Sequence, residues 1–228
     1  MEFNDENLTK EDIERALTMM KQAIEAYKKN FANTSFLYKM QENETDIRIS
    51  VPESYVKHLL GFDINIASTW WEYIGDKRKR GLEWVEQLYT SRDFISYMIL
   101  KNNKDALVRF SKIEFKSREI KNFNLLQDPA FFFSYKKVLH LGTINSDKIL
   151  SFKLKRINPY NAKETIKYAP WSFYVYDKGD LDSGFKIINP RIPLGVLAVN
   201  GKNTYDSSEL YSKENVQELR RKIKVFTK

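Results

Sequence analysis

The sequence predicts an α+β fold in which N-terminal helices pack on a C-terminal antiparallel β-meander sheet. Hydrophobic residues recur at helical spacing through the first part of the chain, and from about Leu107 short runs of β-branched and aromatic residues alternate with Gly, Pro, Asn and Asp. Helices precede strands without a repeated strand–helix–strand order, which favours an α+β fold. We therefore predict one domain over residues 1–228, mainly helical over 1–105 and mainly sheet over 106–200, with a tail or helix over 201–228.

The composition is that of a folded protein with a sizeable core. The 228 residues are 42% hydrophobic and 14% aromatic, include no cysteine, and carry a formal net charge of +8. Without cysteine there are no disulfides or thiolate metal ligands, and no apolar run approaches the length of a membrane span. We expect a cytoplasmic protein with no membrane association, whose charge surplus favours a polyanionic partner such as RNA.

The first predicted element is a long amphipathic helix. Thr9 can cap it, with Asp12 three residues further on, and its apolar face consists of Ile13, Ala16, Leu17, Met20, Ile24, Tyr27 and Phe31. Residues 45–51 then alternate between apolar and polar side chains, which predicts a short half-buried strand. Pro52 suits the first turn of a following helix, which ends at Gly61 and carries His58 near its C-terminal end.

Residues 66–100 hold three of the four tryptophans and predict two helices separated near Thr90. Aromatic residues at this spacing are typical of a core. The loop between Gly75 and Gly81 contains four consecutive basic residues, 77–80. Such a run suits a loop that contacts phosphate, and equally an ordinary solvated surface.

The second half of the chain predicts five β segments, over residues 108–115, 131–141, 149–157, 171–176 and 185–199. The last segment contains Pro190 and Pro193, and proline cannot donate a hydrogen bond to a neighbouring strand. We therefore expect an edge strand or a loop there. Residues 213–228 predict a terminal helix with Val216, Leu219 and Ile223 facing inward.

Only two histidines are available for acid–base chemistry near neutral pH, His58 and His140. His58 precedes two leucines at the end of a predicted helix, where it is either a catalytic group or a helix-end histidine bonded to a backbone carbonyl. His140 stands between two leucines in a predicted strand, which favours a structural role.

Four segments of the chain occur in a recognisable order. An early strand, Ile47–Val51, is followed by a helix ending in His58-Leu59-Leu60-Gly61, and later strands carry Phe132-Phe133-Ser134-Tyr135-Lys136 and Trp171-Ser172-Phe173-Tyr174. This order resembles the phage-associated members of the barnase, EndoU, colicin and RelE-like nuclease superfamily. The chain departs from that pattern in two ways. No basic residue follows closely after Gly61, and the segment 66–100 is longer than a minimal member needs.

The resemblance implies a metal-independent endoribonuclease of toxin or antiphage type, with no cofactor. Cleavage of this kind requires a base for the 2′-hydroxyl proton, a cation for the charged phosphorane and a donor for the leaving oxygen. His58 would be the base or the acid, Lys136 would stabilise charge, and Ser172 and Tyr174 would position the phosphate. The residues expected to contact the substrate are Lys137, Lys155 and Arg191. A neutralising protein partner is a further expectation.

Strand alternation adds a geometric expectation. Because successive residues face opposite sides, Ser172 and Tyr174 share one face of their strand, whereas Lys136 and Lys137 face opposite sides. Each candidate also has a plain alternative role, as an outward residue of an ordinary sheet or a solvated cation. For Arg191 that alternative is an exposed arginine in a stiff loop between two prolines.

Two other functions stay open. Asp105 followed by Glu114-Phe115-Lys116 offers an acid and then an acid-x-Lys on a predicted strand, the residue types of a magnesium-dependent nuclease. A non-catalytic protein that binds nucleic acid or a partner protein also fits the charge surplus and the abundant Tyr and Phe. The sequence contains no glycine-rich phosphate loop, nucleophile elbow or zinc-finger pattern.

Overall fold

The computed structural model describes residues 10–52, 59, 114–157, 165–177, 179–182 and 184–227. His58, the predicted helices of 66–100, the basic residues 77–80 and Asp105 lie outside the described residues, so the expectations for them stay predictions. The chain divides into two compact units. One comprises Met1–Lys29 and Glu53–Lys121, and the other comprises Asn30–Pro52 and Asn122–Lys228.

The predicted N-terminal helix is confirmed. Helix α1 spans Lys10–Asn30, and Met20, Ile24 and Tyr27 of its predicted apolar face are buried. Phe31 lies just beyond the last helical residue. Helical spacing of apolar residues was therefore a sufficient signal for this element.

A second helical segment of the first unit occupies residues 114–120. It is tied to α1 by an ion pair between Arg15 and Glu114, at 3.2 Å, and by a hydrogen bond of 2.8 Å that Lys121 donates to Gln22. The predicted strand over 108–115 is thus wrong at its last two residues. Glu114 and Phe115 follow a stretch rich in β-favouring residues, but they are helical in the structure.

The second unit contains a nine-stranded sheet. Its strands are β1 Thr34–Lys39, β2 Ile47–Val51, β3 Phe131–Tyr135, β4 Val138–Asn145, β5 Lys148–Arg156, β6 Ile166–Tyr176, β7 Ile188–Arg191, β8 Gly195–Asn200 and β9 Asn203–Asp206. Across the sheet they follow the order β7-β3-β4-β5-β6-β2-β1-β8-β9. A short helix α2, Gly179–Asp182, lies between β6 and β7, and a 3₁₀ turn at Ser208–Tyr211 leads into helix α3, Lys213–Val225.

The sheet is mixed, which corrects the prediction of a purely antiparallel meander. β2 runs parallel to β6, with Ile47 opposite Ile166 and Ile49 opposite Tyr168, while the other strand pairs of the described sheet are antiparallel. The parallel pair arises because strands from the N-terminal part of the chain insert into the sheet. β2 was predicted, but β1 was not.

Two predicted β segments prove to be pairs of strands. Residues 131–141 form most of the β3–β4 hairpin, whose two-residue turn is Lys136-Lys137, and both lysines have positive φ, 48° and 63°. Positive φ at both central positions is the signature of a type I′ turn. Residues 185–199 include β7 and most of β8. β7, which contains Pro190, lies at one edge of the sheet, which is one of the two placements that the prolines predicted.

Apolar side chains pack on both faces of the β3–β6 region. On one face Phe131, Phe133 and Ile149 pack with Leu219, Ile223 and Phe226 at the C-terminal helix, which confirms that α3 turns an apolar side inward. A ring cluster of Phe31, Phe123, Phe152 and Phe173 forms a second group of packed aromatics, with centroid separations of 4.6–6.0 Å. Ser212 caps the N-terminus of α3, where its hydroxyl accepts a hydrogen bond from the Asn215 backbone N–H.

Candidate functional site

Three polar residues lie side by side on neighbouring strands of the sheet. In the strand registers, His140 of β4 is opposite Lys153 of β5, and Lys153 is opposite Ser172 of β6. Directly opposed residues of antiparallel strands have their side chains on the same face, with Cβ atoms roughly 5 Å apart. The hairpin and meander registers therefore bring an imidazole, an ammonium and a hydroxyl into one row.

Aromatic residues adjoin this row. Ser151, two residues before Lys153, is opposite Tyr174, and the Tyr174 ring lies 5.8 Å from that of His140. Tyr176 stacks on Tyr174 at 5.9 Å with an interplanar angle of 4°. We call the six residues His140, Ser151, Lys153, Ser172, Tyr174 and Tyr176 the sheet-face cluster. Ser172 and Tyr174 share one face, as strand alternation predicted.

His140 is the buried end of the sheet-face cluster. It is 2% exposed, stacks on Phe133 at 5.0 Å, and its Nδ1 lies 3.4 Å from the Ser151 hydroxyl. Burial, reinforced by the charge of Lys153, lowers the pKa of His140 to about 4. The imidazole is therefore neutral at pH 7, and it does not contact solvent directly.

Tyr174 is the open end of the cluster. It is 37% exposed, whereas Tyr176 is buried and its pKa is raised, chiefly by burial and then by the neighbouring tyrosines Tyr174 and Tyr135. Lys153 and Ser172 are half-buried. An exposed aromatic ring beside a lysine and a hydroxyl offers a stacking surface for a base and donors for a phosphate.

Lys155 lies further along β5 and pairs with an aromatic residue. Its ammonium is 4.5 Å from the centroid of the Trp171 ring. A shift of register between Lys153 and Leu154, whose partners are Ser172 and Pro170, leaves Trp171 without a directly opposed residue. This irregularity produces a cation–π contact that simple alternation does not predict.

Lys136 and Lys137 are not strand residues, which corrects their predicted placement on opposite faces of a strand. They form the turn between β3 and β4, and both are exposed. The Lys136 ammonium is 5.2 Å from the Tyr135 ring, and that ring is in turn 6.3 Å from His140. Tyr135 therefore contacts both Lys136 and the sheet-face cluster.

Arg191 lies apart from the other candidates. It is on β7, four strand positions from β6, which corresponds to roughly 19 Å between strand axes. Its guanidinium forms an ion pair with Glu44 at 3.7 Å. The structure thus separates Arg191, a predicted substrate contact, from Ser172 and Tyr174, which were predicted to position the phosphate.

The acid-x-Lys reading of residues 114–116 changes in the structure. These residues are helical instead of forming a strand, and Glu114 is paired with Arg15. Within the described part of the chain no group of three His, Asp or Glu side chains is arranged to hold a metal ion. Asp105 and His58 lie outside the described residues.

Sequence reasoning did not select Ser151, Lys153 and Tyr176 as members of the site, and it favoured a structural role for His140. A recognisable signal was present. A hairpin centred on Lys136-Lys137 places Phe133 opposite His140, and the next turn, at Ser146 and Asp147, then sets the register of β5. The turn passed unnoticed because lysine is an uncommon residue at positive φ.

Comparison with known proteins identifies no homologue. No family model, curated protein or solved structure is significantly similar to this chain. No helix in the part of the chain that the structure describes is long and apolar enough to cross a membrane.

Proposed function

We propose that this protein is a metal-independent endoribonuclease of toxin or antiphage type, which cleaves RNA by attack of a 2′-hydroxyl on the adjacent phosphate. The supporting observation is the sheet-face cluster, in which Lys153, Ser172 and the exposed Tyr174 adjoin on one face. The order of motifs in the sequence and the charge surplus agree with this activity.

The described residues have defined roles in this proposal. Tyr174 stacks on a base, the Ser172 hydroxyl donates to a non-bridging phosphate oxygen, and Lys153 balances the charge that develops on the phosphorane. Lys155, held beside Trp171, binds a neighbouring phosphate. These side chains are half-buried or exposed, so an RNA strand can reach them.

Proton transfer is assigned to His58, which takes the 2′-hydroxyl proton as the new bond to phosphorus forms and returns a proton to the 5′-oxygen as its bond to phosphorus breaks. His140 is a poor candidate for that step because it is buried and its pKa of about 4 makes it a weak base at neutral pH. His140 instead contacts the Tyr174 ring and the Ser151 hydroxyl within the sheet-face cluster. The chemistry therefore rests on His58, whose role follows from the sequence resemblance.

Cleavage of total cellular RNA in EDTA tests the activity. Native protein is expected to produce fragments ending in a 2′,3′-cyclic phosphate, and the His58→Ala variant is expected to lose at least a hundredfold in rate, the typical contribution of general acid–base catalysis. Cleavage that requires magnesium would contradict the proposal and favour a carboxylate mechanism.

A second measurement tests the binding face separately. Tyr174→Ala should weaken binding of a single-stranded RNA by about 1–3 kcal/mol, since it removes one stacking ring. Tyr205→Ala is the matched control, because Tyr205 is 47% exposed on the edge strand β9 and outside the cluster. Equal losses in both variants would contradict a specific role for the sheet-face cluster.

A non-catalytic RNA-binding protein is the second candidate. The observation that favours it is the burial of His140, which leaves the sheet-face cluster without an accessible imidazole of its own. In that case RNA binding would depend on Tyr174 while His58→Ala would leave both binding and cellular activity unchanged.

A further inference from the structure

A surface pocket of about 440 Å³ opens beside the edge strand β7 in the second unit. Its walls come from three parts of the chain: the loop between β1 and β2, residues 190–192 at the end of β7, and the C-terminal half of α3 together with Thr227, two residues beyond it. The volume falls within the range of pockets that hold small molecules.

The charged lining of the pocket is mainly positive. Among the described residues, Arg191, Arg220 and Lys224 line it, together with one carboxylate, that of Glu44. Glu44 is paired with Arg191 at 3.7 Å, so Arg220 and Lys224 are left as a surplus of two positive charges. These two side chains are one helical turn apart on α3 and both are exposed.

The other cations of the same helix are arranged differently. Arg221 and Lys222 form ion pairs with Glu218, at 3.2 and 3.9 Å, and neither lines the pocket. Basic residues near a helix C-terminus commonly interact with the helix dipole. The helix dipole does not account for the position of Arg191, which lies on β7 and lines the same pocket.

The pocket also has an apolar portion. Pro190, Ile192 and Ile223 line it next to the cations. A bare anion such as inorganic phosphate would leave this part of the cavity unfilled, whereas a ligand with a ring attached to the anion would cover it.

We propose that this pocket binds a phosphomonoester of nucleotide size. A terminal phosphate carries close to two negative charges at pH 7, which matches the surplus of two cations, and guanidinium groups bind phosphate oxygens in bidentate geometry. The phosphate contacts Arg220 and Lys224, Arg191 adds a third cation, and the nucleoside lies against the apolar portion. The inference concerns a binding site on β7 and α3 and does not depend on the proposed ribonuclease activity.

Calorimetric titration at physiological salt tests the site with 5′-AMP, inorganic phosphate and adenosine. We expect 5′-AMP to bind at least tenfold more tightly than either fragment. Arg220→Gln combined with Lys224→Gln should weaken 5′-AMP binding by more than tenfold, because each charged hydrogen bond contributes about a factor of ten or more. No binding of any probe by the native protein, or equal affinity for inorganic phosphate and 5′-AMP, overturns the proposal.

The chain offers a matched control for charge. Arg221→Gln combined with Lys222→Gln removes the same two charges from the same helix outside the pocket, and 5′-AMP affinity should change less than threefold. An equal loss in both double variants would show non-specific attraction and overturn the site. Circular dichroism of each variant verifies folding, which the exposure of all four side chains favours.

Glu44→Gln supplies a variant with the opposite expected sign. Removing the carboxylate releases Arg191 from its ion pair and raises the positive charge of the pocket, so the affinity for 5′-AMP should increase severalfold. A variant that merely lost structure would bind more weakly, so an increase cannot come from misfolding. A decrease would overturn the charge assignment. Titration with a short RNA bearing a 5′-phosphate, against the same RNA with a 5′-hydroxyl, then separates the two sources: preference for 5′-AMP assigns a free nucleotide, and preference for the phosphorylated RNA assigns an RNA end.

Discussion

At the scale of single residues, His140 shows how burial decides what a side chain can do. The same imidazole in solution would be partly protonated near pH 6.5, but burial, and then the charge of the adjacent Lys153, lower its pKa and favour the neutral form. Its neighbour Tyr174 has the opposite exposure and is available to a ligand. The sheet-face cluster therefore combines a buried, neutral imidazole with an accessible aromatic ring.

The lowered pKa of His140 predicts a specific loss of stability in acid. Its pKa is about 4 in the folded protein against an ordinary value of 6.5, so the unfolded chain takes up the proton first as the pH falls. The stabilisation is complete above about pH 6.5 and is lost progressively down to pH 4, by about 3 kcal/mol in the free energy of unfolding. Urea denaturation of native protein at pH 7 and pH 4 measures this change.

The His140→Gln variant isolates the contribution of this residue. It lacks the titrating group, so its free energy of unfolding should fall by about 3 kcal/mol less than that of the native protein over the same pH interval. Carboxylates such as Asp46 titrate in both proteins, so their contributions to the pH dependence of the free energy of unfolding cancel in the comparison. Identical pH dependence in the two proteins would show that the native imidazole is not desolvated.

At the scale of elements, the β3–β4 hairpin sets the register on which the candidate site depends. Its turn uses two consecutive lysines at positive φ, a conformation that non-glycine residues adopt at a cost of roughly 1 kcal/mol each. The strands nevertheless pair across five positions from Phe131 to Tyr135. Strand pairing and burial of phenylalanine side chains thus override the weak local preference of the turn residues.

Replacing the turn with residues suited to it should stabilise the protein. Lys136→Asn together with Lys137→Gly provides the pair preferred in type I′ turns, and we expect the free energy of unfolding to rise by about 1 kcal/mol. Lys136→Gln together with Lys137→Gln is the control, because it removes both charges but keeps the unfavourable backbone. Stabilisation of similar size in the control would attribute the effect to charge instead of backbone strain.

At the scale of the whole sheet, β2 joins two groups of strands. On one side of β2 lie β6, β5, β4, β3 and β7, in that order. On the other side lie β1, β8 and β9. β1 pairs with β8 across more than 150 residues of sequence, with Thr34 opposite Asn200. Such long-range pairing costs loop-closure entropy before any contact is gained. Because β2 is the strand that connects the two groups, the sheet depends on it.

Truncation of a central side chain of β2 tests this role. Ile49 is fully buried between Phe36 of β1 and Tyr168 of β6, so Ile49→Ala should lower the free energy of unfolding by about 3 kcal/mol. Arg48→Ala, at the neighbouring exposed position, should change it by less than about 0.5 kcal/mol. Urea denaturation measures both, and comparable effects would contradict the inward orientation of Ile49.

The local features of this protein were determined by its sequence alone. Helical spacing specified α1 and α3, alternation specified β2, and the prolines favoured an edge strand or a loop around β7, because each depends on neighbouring residues only. Ser172 and Tyr174 share a face for the same reason. By contrast, the parallel pairing of β2 with β6, the row of His140, Lys153 and Ser172, and the convergence of Arg191 with Arg220 were decided by tertiary structure. These features join residues far apart in the chain, and their positions follow from registers and packing that no local pattern encodes.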